Sequence, residues 1–277
     1  MPGTALVLGG GGITGIAWEI GLLAGLTAEG VDLTTADVVI GTSAGSVVGA
    51  QVASGTSIED LYAAQLAGYG VEVAAHIGWA LLLRYGLTLL RSRDPQRYRV
   101  RIGRLALRAK TVSPEQRLAV IASRLPSPNW PERALRVTAV DAASGEFQVF
   151  DRSSGVPLVD AVAASCAVPG VYPPITIGSG RYVDGGVRSA TNADLADGYE
   201  RVVILAPMTT GLGPLIGVHA HVEQLRPRSQ VVAVSPDAAA VAAIGRNALD
   251  PARRVPAAEA GRAQAQSAVG EVRAVWQ

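Results

Sequence analysis

The most informative stretch of this sequence for its fold is TALVLGGGGITG, residues 4–15. Thr4–Leu8 is a short apolar run that ends in four glycines, as a buried strand does where it meets a tight turn. Ile13–Ala28 follows with apolar residues at helical spacing, so we predict a helix directly after the turn, with Gly30 as its stop. A strand, a glycine turn and a helix in this order favour an α/β fold with a largely parallel sheet.

The glycine turn has three interpretations. Backbone N–H groups of such a turn bind anions together with a helix N-terminus, and glycine lets the backbone approach a ligand closely. The pattern Gly10-x-Gly12-x-x-Gly15 fits a dinucleotide fingerprint, the same N–H groups could form an oxyanion hole, and the turn could also bind nothing. The fingerprint further requires an acid at the end of the second strand, but Val38–Ile40 leads into Gly41. The dinucleotide interpretation is therefore incomplete.

A G-x-S-x-G motif stands where that acid is expected, as Gly41-Thr42-Ser43-Ala44-Gly45. In hydrolases this motif forms an elbow that presents the serine hydroxyl at a helix N-terminus. A short apolar strand precedes the motif here, and a small-residue helix is predicted for Ser46–Ala53 after it. This context makes Ser43 a candidate nucleophile.

The base that would activate Ser43 is not evident among the three histidines. The order Ser43, Asp184, then His219 or His221 is formally that of a catalytic triad. However, the elbow of that hydrolase class follows several strands, and here it follows only the second. His76 lies in an apolar helical stretch, and we expect the other two histidines to be solvated or packed.

A third motif places a carboxylate at a strand end, in Tyr182-Val183-Asp184-Gly185-Gly186. Alone, this Asp-Gly pair is more typical of an ordinary turn. Taken together, however, the three motifs resemble those of the patatin-like phospholipase family. Its glycine-rich oxyanion loop, its elbow and its D-G-[AG] turn correspond to Gly10–Gly15, Gly41–Gly45 and Asp184–Gly186. Residues 164–174, ASCAVPGVYPP, also look like the family's segment before the aspartate, and the resemblance covers roughly residues 4–206.

The resemblance implies a Ser-Asp dyad without a histidine. Ser43 is then the nucleophile and Asp184 the general base, and partial burial would raise the pKa of Asp184 toward neutrality and improve it as a base. No metal and no organic cofactor are implied. The oxyanion donors would be the N–H groups of Gly10, Gly11 and Gly12, and the supporting glycines would be Gly15, Gly41, Gly45, Gly185 and Gly186.

The glycine loop departs from the family at one position. Relatives often have Arg or Lys before the last glycine of the loop, and this sequence has Thr14. The backbone donors survive that change, but a positive charge near the oxyanion is lost. We therefore expect an effect on rate and substrate preference rather than on the type of reaction.

The resemblance also implies the architecture, a three-layer α/β/α fold with a mostly parallel central sheet. We predict one domain over residues 1–277, with the motifs in about 4–206 and a helical insert or lid at about 57–125. A C-terminal strand and helices should follow in 207–277. The predicted strands after the elbow are Leu135–Val140, Phe147–Phe150, Tyr182–Asp184, Arg201–Ala206 and Gln230–Val234, with a helix at Leu158–Ser165.

Charge is distributed unevenly along the chain. The net charge is +1, which argues against a nucleic-acid binder, and a single cysteine, Cys166, excludes an internal disulfide. Residues 1–83 contain no Lys or Arg, whereas residues 84–110 contain nine basic side chains and one acid. The 84–110 segment could therefore contact anionic lipid headgroups or form a solvated helix face.

Membrane and targeting signals are weak. The most apolar window, residues 71–90, contains Glu72, His76 and Arg84, so we expect a core helix, a lid or an acyl-chain wall rather than a membrane span. The N-terminus lacks the positive region of a secretory signal, and we expect a cytoplasmic protein with peripheral membrane contact at most.

The expected activity is hydrolysis of carboxylic esters of lipids by an acyl-serine mechanism, as in a phospholipase A or a lysophospholipase. Two alternatives remain open at this point. One is a lipid-binding module that keeps the fold without catalysis. The other is a nucleotide-binding oxidoreductase that uses the glycine loop. The sequence does not predict an oligomeric state.

Overall fold

A computed structural model describes residues 3–68, 85, 86, 88, 92, 94–209 and 215–277. Most of the 71–90 window, with the predicted lid and acyl-chain wall, lies outside these residues. The described helices are α1 (Gly12–Ala28), α2 (Ala44–Ala53), α3 (Ile58–Ala67), α4 (Pro95–Arg108), α5 (Pro114–Ala122), α6 (Leu158–Ser165), α7 (Val218–Leu225), α8 (Ala238–Ile244) and α9 (Arg254–Trp276). The strands are β1 (Thr4–Leu8), β2 (Val38–Gly41), β3 (Ala134–Asp141), β4 (Phe147–Phe150), β5 (Ile175–Ile177), β6 (Gly180–Asp184), β7 (Arg201–Leu205) and β8 (Gln230–Val234).

The strands form one mixed, mostly parallel sheet of eight strands in the order β5-β6-β3-β2-β1-β7-β8, with β4 also paired to β3. Strands β3, β2, β1, β7 and β8 run parallel to one another, and β4, β5 and β6 are antiparallel additions on the β3 side. The carboxyl ends of β1 and β2 therefore meet at one edge of the sheet, and the two glycine motifs follow them there.

The pairing of β3 brings the third motif to the same place. Strand β4 pairs with Val137–Val140 along one edge of β3, so β2 and β6 share the other edge. Gly41 lies opposite Val137, and Asp184 lies opposite Ala139, two residues further along. Along β3, the residues paired with β6 therefore follow those paired with β2. Because β6 runs antiparallel to β3, its last residue, Asp184, lies beside the elbow.

Both faces of the sheet are covered, which confirms the predicted α/β fold. Alternate residues of a strand point to opposite faces. Leu6 and Leu8 pack against a core built with α1, α2, α6 and α9, whereas Ala5 and Val7 face a second core built with α7. Helix α4 packs over Val140 and Val183 in a third cluster.

Helices α1 and α9 pack at unusually close range on the first face. A Cβ placed on Gly21 would lie 2.0 Å from the carbonyl oxygen of Ala258, and one on Gly261 would lie 2.3 Å from that of Trp18. The Trp18 indole N–H also donates to Gln264 at 2.9 Å. The C-terminal helix thus supports the helix that begins at the glycine loop.

The predicted elements agree closely with the observed ones. Strand β5, three residues at the sheet edge, was not predicted because it is too short for an alternating pattern. Helix α2 begins at Ala44, two residues earlier than predicted, because Ser43 itself makes the turn. Within the described residues, no helix combines the length and apolarity that crossing a bilayer requires.

Candidate active site

Ser43 forms the turn between β2 and α2 with a strained backbone. Its φ of 53° and ψ of −115° lie in a region that non-glycine residues rarely adopt, at a typical cost of about 1–3 kcal/mol. Three contacts hold this conformation. The Ser43 N–H donates to Ser165 Oγ at 2.9 Å, and the Ser43 carbonyl accepts from Ser46 Oγ at 2.6 Å and from Cys166 Sγ at 3.2 Å. The residue remains 8% exposed at the helix N-terminus.

The two glycines of the elbow are required by space. A Cβ on Gly45 would lie 2.1 Å from the carbonyl oxygen of Leu8, and a Cβ on Gly41 would lie 2.5 Å from that of Gly45. Both obstacles are backbone atoms, which cannot rotate away as a side chain can. The two glycines of the motif are therefore required because α2 approaches the ends of β1 and β2 closely.

Asp184 is buried next to Ser43. Its Oδ1 accepts from the Gly186 N–H at 2.7 Å, and its backbone N–H donates to the Ala167 carbonyl at 3.1 Å. Burial raises the pKa of Asp184 to about 6, and the Ser43 hydroxyl, the Gly186 N–H and the Arg117 charge each act in the opposite direction. The group is therefore mostly ionised at neutral pH yet far more basic than an exposed aspartate.

The glycine loop lies against the elbow. The Gly45 N–H donates to the Gly9 carbonyl at 2.9 Å, and a Cβ on Gly10 would lie 3.5 Å from Ser43 Cβ. Gly12 lines the same small cleft as Ser43. Gly12 also begins α1, so the positive end of that helix lies at the cleft.

The three predicted oxyanion donors differ in availability. The Gly10 N–H already donates to the Ala190 carbonyl at 2.7 Å, so it is used in holding the loop. No hydrogen bond within the described residues uses the N–H of Gly11 or Gly12. These two groups are the remaining candidates, and the sequence motif could not distinguish them from Gly10.

Thr14 has an anchoring role in the structure. It is fully buried, and both its N–H and its hydroxyl donate to the Ala248 carbonyl, at 3.1 and 3.3 Å. A Cβ on Gly12 would lie 2.5 Å from the same carbonyl oxygen. The segment between α8 and α9 thus packs directly on the loop, at the position where relatives often have a basic residue.

The two described histidines lie elsewhere. His219 is exposed on α7, and His221 is fully buried with its Nε2 2.9 Å from Ser189 Oγ. Burial lowers the pKa of His221, and its Nδ1 lies 3.8 Å from Asp194. The arrangement supports the loop after β6, and His76 lies outside the described residues. The triad order seen in the sequence therefore does not correspond to a histidine beside Ser43 among the described residues.

Asn192 is a buried residue that the sequence motifs did not indicate. It has a left-handed backbone, with φ 49°, and its amide nitrogen donates to Thr42 Oγ1 at 3.0 Å and to the Gly185 carbonyl at 3.3 Å. Thr42 Oγ1 in turn lies 2.8 Å from Thr138 Oγ1. Asn192 thus ties the residue before the nucleophile to the residue after the aspartate. Its only sequence signal is that asparagine tolerates this backbone conformation.

The fold and the site together define an α/β protein with an elbow serine next to a buried carboxylate. The family model of the patatin-like phospholipases matches residues 6–197, more than two thirds of the sequence. The chain belongs to this family. No curated protein matches it significantly by sequence.

Solved structures similar to this chain include two bacterial proteins. VipD from Legionella pneumophila is 14% identical with a TM-score of 0.46, over 97% of this chain and 67% of its own. ExoU, in the complex of full-length SpcU with full-length ExoU from the type III secretion system of Pseudomonas aeruginosa, is 20% identical with a TM-score of 0.46. That match covers 100% of this chain and 53% of the other, so the chain spans about half the length of that neighbour.

Proposed function

We propose that this protein is a serine acyl hydrolase that cleaves carboxylic esters of lipids on a Ser43–Asp184 dyad. The observation that carries the proposal is a strained elbow serine beside a buried carboxylate whose pKa is raised to about 6. A base with that pKa accepts a proton at neutral pH without the help of histidine. Membership of the patatin-like phospholipase family supports the same class of substrate.

In the proposed reaction, Asp184 takes the Ser43 hydroxyl proton as Oγ attacks the ester carbonyl. The tetrahedral oxyanion lies against the N–H groups of Gly11 and Gly12 at the N-terminus of α1. Collapse of the intermediate breaks the bond to the leaving oxygen, which takes the proton from Asp184 and departs as an alcohol. Asp184 then removes a proton from water, whose oxygen attacks the acyl-Ser43 ester, and Ser43 is released with the proton back on Oγ.

We assign the acyl chain to a cavity of about 290 Å³ beside the nucleophile. This cavity shares Ile13, Ile16 and Arg124 with the cleft that contains Ser43. Its size is close to the lower end of ligand pockets. Most of its remaining lining is aliphatic and comes from α2, α3, α5 and the segment after α5: Val47, Leu61, Ala64, Val120, Leu125 and Pro126.

Replacement of Ser43 tests the activity. We expect Ser43→Ala to abolish turnover of a p-nitrophenyl ester and labelling by a fluorophosphonate, with an unchanged circular dichroism spectrum. Ser267→Ala, an exposed serine on α9, is the matched control and should keep full activity. Turnover that survives in Ser43→Ala would refute the assignment. A folded wild-type protein that neither turns over esters nor reacts with the probe would favour the non-catalytic lipid-binding module.

We further propose that α4 contacts anionic membrane surfaces. Its buried face, with Tyr98 and Ile102, packs on the sheet. The opposite face exposes arginines at helical spacing, and each basic side chain near an anionic surface contributes about 1 kcal/mol to binding. The exposed arginines of α4 are Arg97, Arg101, Arg104 and Arg108.

Vesicle binding tests this contact. Arg97→Gln combined with Arg104→Gln should weaken co-sedimentation with phosphatidylserine-containing vesicles roughly tenfold or more at low salt. Hydrolysis of a soluble ester should remain unchanged. The control is Arg226→Gln directly after α7, an exposed arginine outside α4 that is already paired with Glu223. Equal binding of the double variant and the wild type would exclude α4 as the contact.

A further inference from the structure

Two arginines line the cleft that contains the nucleophile. Arg117 lies on α5 and Arg124 lies two residues after its end, and both contribute to the cleft beside Ser43. Arg117 is only 5% exposed. Its guanidinium carbon lies 3.7 Å from the ring centroid of Tyr172, which also lines the cleft. An arginine buried beside a nucleophile is unusual, because placing a guanidinium out of water is costly.

The glycine side of the cleft supplies no formal positive charge. Residues 1–83, which contain the loop, α1 and the elbow, have neither Lys nor Arg. Position 14 is occupied by a threonine bonded to the Ala248 carbonyl. The positive charge at this cleft therefore comes from α5 and the segment directly after it, which are remote in sequence from all three motifs.

Local structure fixes the position of Arg117. Helix α5 begins with a capping box, in which Ser113 Oγ accepts from the Gln116 N–H and Gln116 Oε1 accepts from the Ser113 N–H. Pro114 at the first turn adds rigidity to the start of the helix. Arg117 follows one turn from the cap, and the face of Tyr172 supports its planar group. The guanidinium is thus held in place before any substrate arrives.

The field of Arg117 reaches the reacting groups. Its charge opposes the effect of burial on the pKa of Asp184, and it does the same for the Cys166 thiol beneath the elbow. A guanidinium close enough to act on the general base is also close to any ester bound between that base and the glycine loop.

We propose that Arg117, with Arg124 beside it, binds an anionic oxygen group of the ester substrate and so determines substrate preference. This inference rests on the proposed hydrolase function. The planar fork of arginine suits a phosphate or a carboxylate, both of which present two oxygens. The acyl chain would extend toward the cavity that Arg124 also lines, and the charged group would remain at Arg117.

Matched substrates test the role. The three substrates differ in their charged group. Lysophosphatidylcholine carries a phosphate, a monoacylglycerol with the same acyl chain carries no anion, and the p-nitrophenyl monoester of a dicarboxylic acid carries a carboxylate. At pH 8, above the titration of Asp184, we expect Arg117→Gln to lower kcat/KM for the phosphate-bearing substrate about tenfold to a hundredfold, mainly through KM. Turnover of the monoacylglycerol should change less than about twofold. A comparable loss on the carboxylate monoester would identify a general anion site, and no loss there would identify a phosphate site.

Two further variants keep the test decisive. Arg117→Lys keeps the charge without the planar fork and should lose less than Arg117→Gln on the anionic substrate. If Arg117→Gln does not fold, Arg124→Gln should show the same selective loss. Arg152→Gln, an exposed arginine, is the control. An equal fall on charged and neutral substrates, or no change on either, would overturn the inference. The hydrolase proposal fails separately, if Ser43→Ala retains activity.

Discussion

The two sides of the Ser43 cleft are built by different means. On one side, β1–α1 and β2–α2 supply backbone: a glycine loop, two helix N-termini and glycines that no side chain could replace. On the other side, β6 and α5 supply side chains: a buried carboxylate and a stacked arginine. In the proposed mechanism, the first side stabilises the negative charge of the oxyanion without any formal charge of its own. The second side supplies the proposed general base, Asp184, and the proposed anion-binding residue, Arg117.

The shape of the cleft therefore depends on the backbone side, and in the proposed mechanism its reactivity depends on the side chains opposite. Replacing a glycine on the backbone side should damage folding, whereas replacing a side chain on the other side should damage chemistry and leave the fold intact. The following variants test that division.

Asp184→Asn should have the largest effect on activity. The amide keeps the shape and can still accept from the Gly186 N–H, but it cannot take the Ser43 proton. Loss of a general base typically costs about 10²–10⁴ in rate, so kcat for a soluble ester should fall by that factor. An activity within tenfold of the wild type would show that another group is the base.

The same variant should be more stable than the wild type at pH 7. The pKa of Asp184 in the folded state, about 6, lies above its ordinary value of 3.8, so its favourable contribution is complete below about pH 4 and is lost as pH rises through 6. Asp184→Asn should therefore gain about 1–3 kcal/mol in unfolding free energy at pH 7 and little at pH 4. Urea denaturation at both pH values measures this difference.

Gly45→Ala should have the largest effect on folding. Its new methyl group would meet the backbone carbonyl of Leu8, which cannot move without displacing the central strand. We expect a loss of about 3 kcal/mol or more in unfolding free energy. Gly270→Ala is the matched control, since Gly270 is exposed in α9 with no atom within 4 Å of an added Cβ, and it should gain about 0.5–1 kcal/mol. A well-folded Gly45→Ala protein would contradict the close approach of α2 to β1.

Asn192→Ala should affect both sides of the cleft to an intermediate degree. It removes the buried amide donor that bonds Thr42 Oγ1 and the Gly185 carbonyl, which typically costs about 1–3 kcal/mol in unfolding free energy. Because Asn192 joins the elbow to the aspartate turn, we expect kcat to fall about tenfold with KM little changed. Asn129→Ala, an exposed asparagine, should alter neither. An unchanged kcat in Asn192→Ala would limit Asn192 to a structural role.

Glu19→Gln should have the smallest effect on activity. Glu19 is fully buried in α1, and burial raises its pKa well above the ordinary value, so the folded protein holds it as the neutral acid. Wild-type stability then falls relative to the variant as pH rises, by at most about 1.4 kcal/mol per pH unit. Thermal unfolding between pH 5 and 8 measures the trend. A constant difference over that range would mean that Glu19 is ionised in the folded state.

The sequence predicted the backbone side almost completely, because its signals are local. Gly45, for example, must lack a side chain because it packs against the Leu8 carbonyl, and this requirement appears in the sequence as a short motif between a strand and a helix. On the other side, the Asp-Gly motif indicated Asp184, but the remaining residues depend on contacts across the chain: Asn192 bonds Thr42 over 150 positions, and Arg117 stacks on Tyr172. No spacing rule connects such pairs. The hydrogen bond from the Gly10 N–H to the Ala190 carbonyl could not be predicted from the sequence either, because it depends on the conformation of the loop after Asp184.

The rate of fluorophosphonate labelling as a function of pH, with the modified peptide identified by mass spectrometry, tests the dyad most directly. The dyad predicts modification at Ser43 and a rate that rises as pH increases through about 6 and then levels off, because only the ionised Asp184 can take the serine proton. Modification of a different residue, or a rate at Ser43 that does not change between pH 5 and 8, would contradict the assignment of Ser43 and Asp184 as nucleophile and base.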